Sequence, residues 1–164
     1  MVKSSRLCGQ GIISYLQDKG YPEVALNFVQ DPKVRFKLAL SCGNIQIAMQ
    51  MAHELDDDNL WRELGTEALR QGNHEVVEKA YQKTKDFERL SFLYLITGNT
   101  EKLKKMLVIA ERRNDVMSRY HNALLLGNAE ERVKTLEITG QLALAYITAK
   151  THGLEDDAER IAQL

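Results

Sequence analysis

The sequence predicts an all-α fold, an α-solenoid of about twelve short antiparallel helices stacked as helical hairpins, tetratricopeptide-like but with an irregular repeat. Three observations predict it. A Gly-Asn turn recurs, apolar residues on either side of it follow the period of a helix, and both prolines, Pro22 and Pro32, lie near the start, so none forbids helix beyond them.

The turn comes four times, as Gly43-Asn44, Gly72-Asn73, Gly98-Asn99 and Gly127-Asn128, at spacings of 29, 26 and 29 residues. Glu or Gln follows each pair by two positions: Gln46, Glu75, Glu101 and Glu130. Glycine takes the left-handed conformation that ends a helix. Asparagine then accepts hydrogen bonds from the free amides of the next helix, and an acid in its first turn faces the positive end of the dipole. The unit stops one helix and starts another. Gly-Asn can also close a β-hairpin, so the flanks decide. Leu103, Met106, Leu107 and Ala110 form one helical stripe, Ile45, Ala48, Ala52 and Leu55 a second, and Leu154, Ala158, Ile161 and Ala162 a third. No stretch sustains a period of two, and the hairpin reading fails.

The helices follow in order. The first, 8–19, ends at Gly20. A degenerate turn, Gly20-Tyr21-Pro22-Glu23, opens 22–30 with proline where its missing amide costs least. Asp31-Pro32 opens 32–42 and Asn44 opens 45–55, while Asp56-Asp57-Asp58 opens 58–71, the helix of Trp61. Asn73, Asp86, Asn99 and Asp115 start 74–84, 86–97, 100–113 and 115–126. Asn128 starts 129–139, and Gly140 and Gly153 punctuate 141–152 and 154–163. Ala25, Ala48, Ala145 and Ala158 each stand five residues after a glycine, where a small side chain lets helices approach. No linker is visible. The reading is a single solenoid domain over 1–164, expected to be a piece of a longer subunit.

Composition excludes several classes of function. Hydrophobic residues make up 44% and charged residues 27%, enough apolar surface to order the chain. A net charge of -1 lacks the basic excess that nucleic-acid binding draws on. No apolar run reaches the roughly 18 residues of a membrane span, and the N-terminus lacks the apolar core of a secretion signal. Two cysteines, Cys8 and Cys42, with no Asn-x-Ser/Thr sequon, point to a reducing cytosolic setting and read as buried structural thiols.

No catalytic, metal or cofactor site assembles. There is no phosphate-binding glycine loop, and Gly9-Gln10-Gly11 follows no strand. His53, His74, His121 and His152 are scattered without partners at metal-ligand spacing. The runs Asp56-Asp57-Asp58 and Glu155-Asp156-Asp157 read as caps and first turns rather than cation or acid-base sites. Lys102, Lys104, Lys105, Arg112 and Arg113 form the densest positive cluster, a candidate face for an acidic partner or anionic membrane, with a solvated helix face as the plainer reading. Tyr15, Tyr21, Tyr81, Tyr94, Tyr120 and Tyr146 read as core or groove packing.

The stretches Lys19–Leu26, Arg35–Leu40, Cys42–Ile45, Ser91–Asn99 and Thr151–Leu154 are specific. On them the chain resembles, over nearly its whole length, the middle α-solenoid of the coatomer alpha-subunit family, from the coat complex of Golgi-derived vesicles. The paralogous beta-prime family shares the outline, including Arg-Phe-x-Leu-Ala-Leu, but fits the later stretches less well. The resemblance implies a structural scaffold for Golgi-to-ER retrograde and intra-Golgi transport of dilysine-tagged cargo. It implies beta-prime as chief partner, epsilon bound through regions outside this segment, and a cytoplasmic protein recruited reversibly to Golgi membranes within the complex. It also implies that dilysine signals are read by β-propellers this segment lacks. Two other readings stand beside it: a tetratricopeptide-like peptide-binding adaptor, and an enzyme on a helical scaffold, which predicts a polar pocket of converging titratable groups.

Overall fold

Gly43, Gly72, Gly98 and Gly127 adopt φ of 71°, 73°, 68° and 66° in the computed structural model, which describes residues 6–164, with side chains from residue 11 onward except Gln17. Each following amide bonds back across the helix end: Asn44, Asn73, Asn99 and Asn128 donate to the carbonyls of Ala39, Ala68, Tyr94 and Ala123 at 2.8–2.9 Å. That is the Schellman pattern, which satisfies carbonyls a helix end leaves free. The same asparagines turn their Oδ1 forward to accept from the amides of Ile47, Val76, Lys102 and Glu131 at 3.0–3.3 Å. One dipeptide thus closes one helix and caps the next.

The described residues form twelve α-helices and no strand, which is the α-solenoid class. They are α1 Arg6–Asp18, α2 Pro22–Ala25, α3 Pro32–Ser41, α4 Ile45–Leu55, α5 Asp58–Arg70 and α6 His74–Lys83. Then come α7 Phe87–Ile96, α8 Thr100–Arg112, α9 Val116–Leu125, α10 Ala129–Ile138, α11 Leu142–Thr151 and α12 Glu155–Ala162. The expected boundaries hold to within two residues except at α2, which stops at Ala25 instead of residue 30. Beyond it the amides of Asn27 and Phe28 make tight bonds three residues back. Asp31, which precedes a proline, sits extended at ψ 119° as the cap of α3, so no helix could run past residue 30.

The 29/26/29 spacing now has a cause. From Gly43 onward, left-handed residues recur at Asp56, Gly72, Lys85, Gly98, Asn114, Gly127, Gly140 and Gly153, every 13 residues with two steps of 16. A step of 13 holds a helix of ten or eleven residues, and the longer steps contain the thirteen-residue helices α5 and α8. A spacing of 29 is one step of each kind; 26 is two short ones.

Two compact units divide the chain, Met1–Asp86 and Phe87–Leu164. In the first, Phe36, Ala48, Met51, Trp61, Leu64, Ala68 and Val77 fill the interior. At Gly65 a Cβ would lie 3.0 Å from that of Ala80, so α5 and α6 touch nearly backbone to backbone. Lys83 at the end of α6 reaches Asp56 at 3.1 Å and lies over the Trp61 ring at 5.8 Å. Asp57 caps α5 by accepting from Asn59 at 2.9 Å. In the second unit, Val133, Leu136, Ala145, Ala149, Ala158 and Ile161 form one cluster across α10, α11 and α12.

Several expectations need correction. Ala25, Ala48, Ala145 and Ala158 are fully buried, but Ala162 is exposed because α12 ends there. Tyr15 and Tyr21 are 61% and 62% exposed and Tyr146 37%, so only part of the tyrosine set packs inside. Tyr21 is held out by its place just before α2, and Tyr15 lies under Lys19 at 5.9 Å. Cys42 is half-buried, not buried; that burial, countered by a hydrogen bond with Ser41, pushes its thiol up. The side chain of Cys8 lies outside the described residues.

Candidate functional site

Helical spacing puts four members of the basic cluster, Lys102, Lys105, Arg112 and Arg113, on one flank of α8 and Lys104 on another. Buried Leu103, Met106 and Ala110 fix the inward side of α8. Lys102 lies over the Tyr94 ring at 5.5 Å and Arg113 over Phe87 at 4.4 Å, both turned toward α7. Lys104 pairs with Glu101 at 3.0 Å, while Lys105 and Arg112 are exposed. Helical spacing puts Lys105, Ile109 and Arg113 in one row, a cation, an apolar residue and a cation.

Ile109 and Arg113 of that row line a concavity of the second unit. α7 and α9 each pack on α8 more closely than on each other, and the gap left is a groove of about 410 Å3. Buried Ser91, Met106, Ala110 and Asn122 make its base; Phe87, Ile109, Met117 and Leu124 make its walls. Glu88, Arg113, Tyr120 and His121 are its charged or titratable side chains. Met117 is 78% exposed and Leu124 50%. Such a lining suits an apolar guest with a few polar contacts.

Asn122 is the polar group in that base. It is 3% exposed, and its Nδ2 donates to the Ser118 carbonyl at 2.8 Å. This fixes the amide orientation and leaves the buried Oδ1 without a donor. Ser91, by contrast, satisfies its hydroxyl on the Phe87 carbonyl at 2.9 Å.

Beside the groove, Arg119 of α9 ties three helices together. Its Nε and Nη2 donate to Glu131 Oε2 of α10 at 3.0 and 2.7 Å, and Nη2 stands 3.6 Å from Glu111 of α8. The Arg119 and Glu131 side chains are only 16% and 19% exposed. Burial pushes the Glu131 carboxyl up, but Arg119, helped by Lys134, outweighs it and holds the carboxyl below its ordinary range. Arg160 of α12 grips Glu137 of α10 with two parallel bonds, at 2.6 and 3.0 Å, and also takes Asp157 at 2.8 Å. Lys150 and Glu155 form a further pair between α11 and α12.

Among the described residues no group of three His, Cys, Asp or Glu gathers as for a metal, and no helix is long and apolar enough to cross a membrane. The groove was missed in the sequence because its lining comes from three helices. One signal was available: an asparagine in mid-helix, where its side chain competes with the backbone, usually has a reason to be there.

Comparison with known proteins gives a consistent result. The family described as COPA/B TPR domain matches residues 8–164. Coatomer subunit alpha-2 of Arabidopsis thaliana is 61% identical over 162 residues, 99% of this chain. Putative coatomer subunit alpha of Schizosaccharomyces pombe is 51% identical over 161 residues, and coatomer subunit alpha of Saccharomyces cerevisiae 48% over 155, or 98% and 94% of this chain. The chain spans 13% of the length of each of these relatives.

Proposed function

The chain belongs to the COPA/B TPR domain family, and from that premise we propose that it is a scaffold segment of a coatomer alpha subunit, working by holding other proteins rather than by catalysis. The observation that carries this reading is identity of 48–61% to coatomer alpha subunits over 94–99% of the chain. The build of the molecule agrees with it. Short helices joined by capped turns give stiff, repetitive packing, and solenoids of this type present extended surfaces to partners. We propose one continuous solenoid domain over residues 1–164, with the solenoid of the beta-prime subunit as chief partner and epsilon held elsewhere in the longer subunit. In that role the segment supports Golgi-to-ER retrograde and intra-Golgi transport of dilysine-tagged cargo, from the cytoplasmic face of Golgi membranes. A pull-down of the beta-prime solenoid with this chain tests the reading. Association at micromolar concentration is expected; its absence there overturns the partner assignment.

A further inference from the structure

We propose that the groove between α7, α8 and α9 is a docking site for an acidic amphipathic helix supplied by another protein. The inference depends on the groove alone and stands apart from the identity of any coat partner.

Four features of the groove converge on it. The groove is concave, mostly apolar, and at about 410 Å3 has room for a large side chain and its neighbour one turn on. Two of its residues, Met106 and Met117, are flexible thioethers of the kind that mould to an incoming apolar face, and Met117 stands 78% exposed. Along α8, helical spacing puts the exposed Lys105 one turn before the lining residue Ile109 and the lining residue Arg113 one turn after it, so a guest helix with a carboxylate before and after an apolar anchor matches that edge in register. Glu88 and Arg113 offset each other on the lining itself, and Lys105, outside the lining, supplies the positive excess of the α8 edge. Finally, Asn122 keeps a buried carbonyl oxygen without a donor on the same lining. A tryptophan or tyrosine anchor brings both the apolar bulk the groove accepts and the N–H or O–H that oxygen lacks.

The test uses two synthetic helical peptides with the same Leu/Trp face, one flanked by glutamates and one by lysines. Binding is followed by NMR of the methionine methyl groups of the whole chain. The glutamate peptide is expected to bind at micromolar concentration and to shift Met106 and Met117 while leaving Met49 and Met51 unmoved. The lysine peptide should bind at least about fivefold more weakly, and Arg113→Glu should remove or invert that preference. Met117→Glu, at a site exposed enough to spare the fold, should weaken the glutamate peptide by about tenfold, with circular dichroism confirming an intact helix content. Equal affinity for the two peptides, binding that ignores Met117→Glu, shifts confined to Met49 and Met51, or no binding of the glutamate peptide at millimolar concentration would each overturn the proposal. So would binding to phosphatidylserine vesicles with neither peptide bound.

Discussion

The α5–α6 hairpin and the α9–α10 hairpin solve the same problem with opposite chemistry. In the first, Gly65 faces Ala80 so closely that no further atom fits between the backbones. In the second, the helices are joined by Arg119 and Glu131, two long charged side chains buried for most of their length. A dry contact of small residues depends on shape alone, is indifferent to pH and salt, and tolerates no added volume. A charged clamp can reach a third helix, as Arg119 reaches Glu111. Its strength, unlike that of the dry contact, depends on protonation.

The contrast breaks most readily at Gly65. Gly65→Val forces a branched side chain against Ala80 and should destabilise the chain by about 3 kcal/mol, read as a lower urea midpoint at unchanged slope. Adding Ala80→Gly should recover part of that loss, which a merely local effect on helix propensity would not allow. Arg119→Ala leaves the covered Glu131 with only the exposed Lys134 as a charged partner, and a loss of about 2 kcal/mol is expected in the same measurement.

The turns sharpen the comparison at smaller scale. Nothing lies near a Cβ added at Gly127, so Gly127→Ala should cost about 1 kcal/mol from backbone conformation alone. Lys85 occupies the equivalent turn at φ 55° without glycine's freedom, and Lys85→Gly should therefore stabilise by about 0.5–1 kcal/mol in thermal unfolding.

The smallest effect is one of pH. The folded carboxyl of Glu131 is held below its ordinary value of 4.5, so the native state favours its ionised form. The stability it contributes is present above that value and is lost as pH falls through the lower, folded one. Urea midpoints at about pH 6 and about pH 3.5 should differ by more in the parent chain than in Glu131→Gln. No such difference should separate Gly65→Val from the parent.

How much of this was legible beforehand follows from where each signal resides. The Gly-Asn turns were, since Gly98 and Asn99 act within a few residues of each other, and so were the caps at Asp57 and Asp115. Their equivalents at Lys85 and Asn114 kept the acid that follows but lacked the glycine, so the 13-residue step stayed hidden within intervals of 26 and 29. The short α2 was misjudged because Asp31 before Pro32 marks only the point by which a helix must have stopped, and the chain turns off earlier, through the tight bonds of Asn27 and Phe28. The clamp and the groove were not legible. Arg119 meets Glu131 across a turn and Phe87 faces Leu124 across two helices, and such pairings are set by rotation between helices rather than by local pattern. Within the basic cluster, only Lys104 departs from the flank of α8 that the other four share, and it pairs with Glu101.

The two long steps differ from the rest by 3 residues, close to a single turn of helix. Growth of that size leaves a rod's buried stripe nearly in phase, whereas one or two extra residues would rotate it out of contact with its neighbours. Length in this architecture is therefore quantised. Insertions and deletions of a whole helical turn within a rod can be absorbed as an overhang, while intermediate ones cannot, so variation among related chains should fall on that ladder.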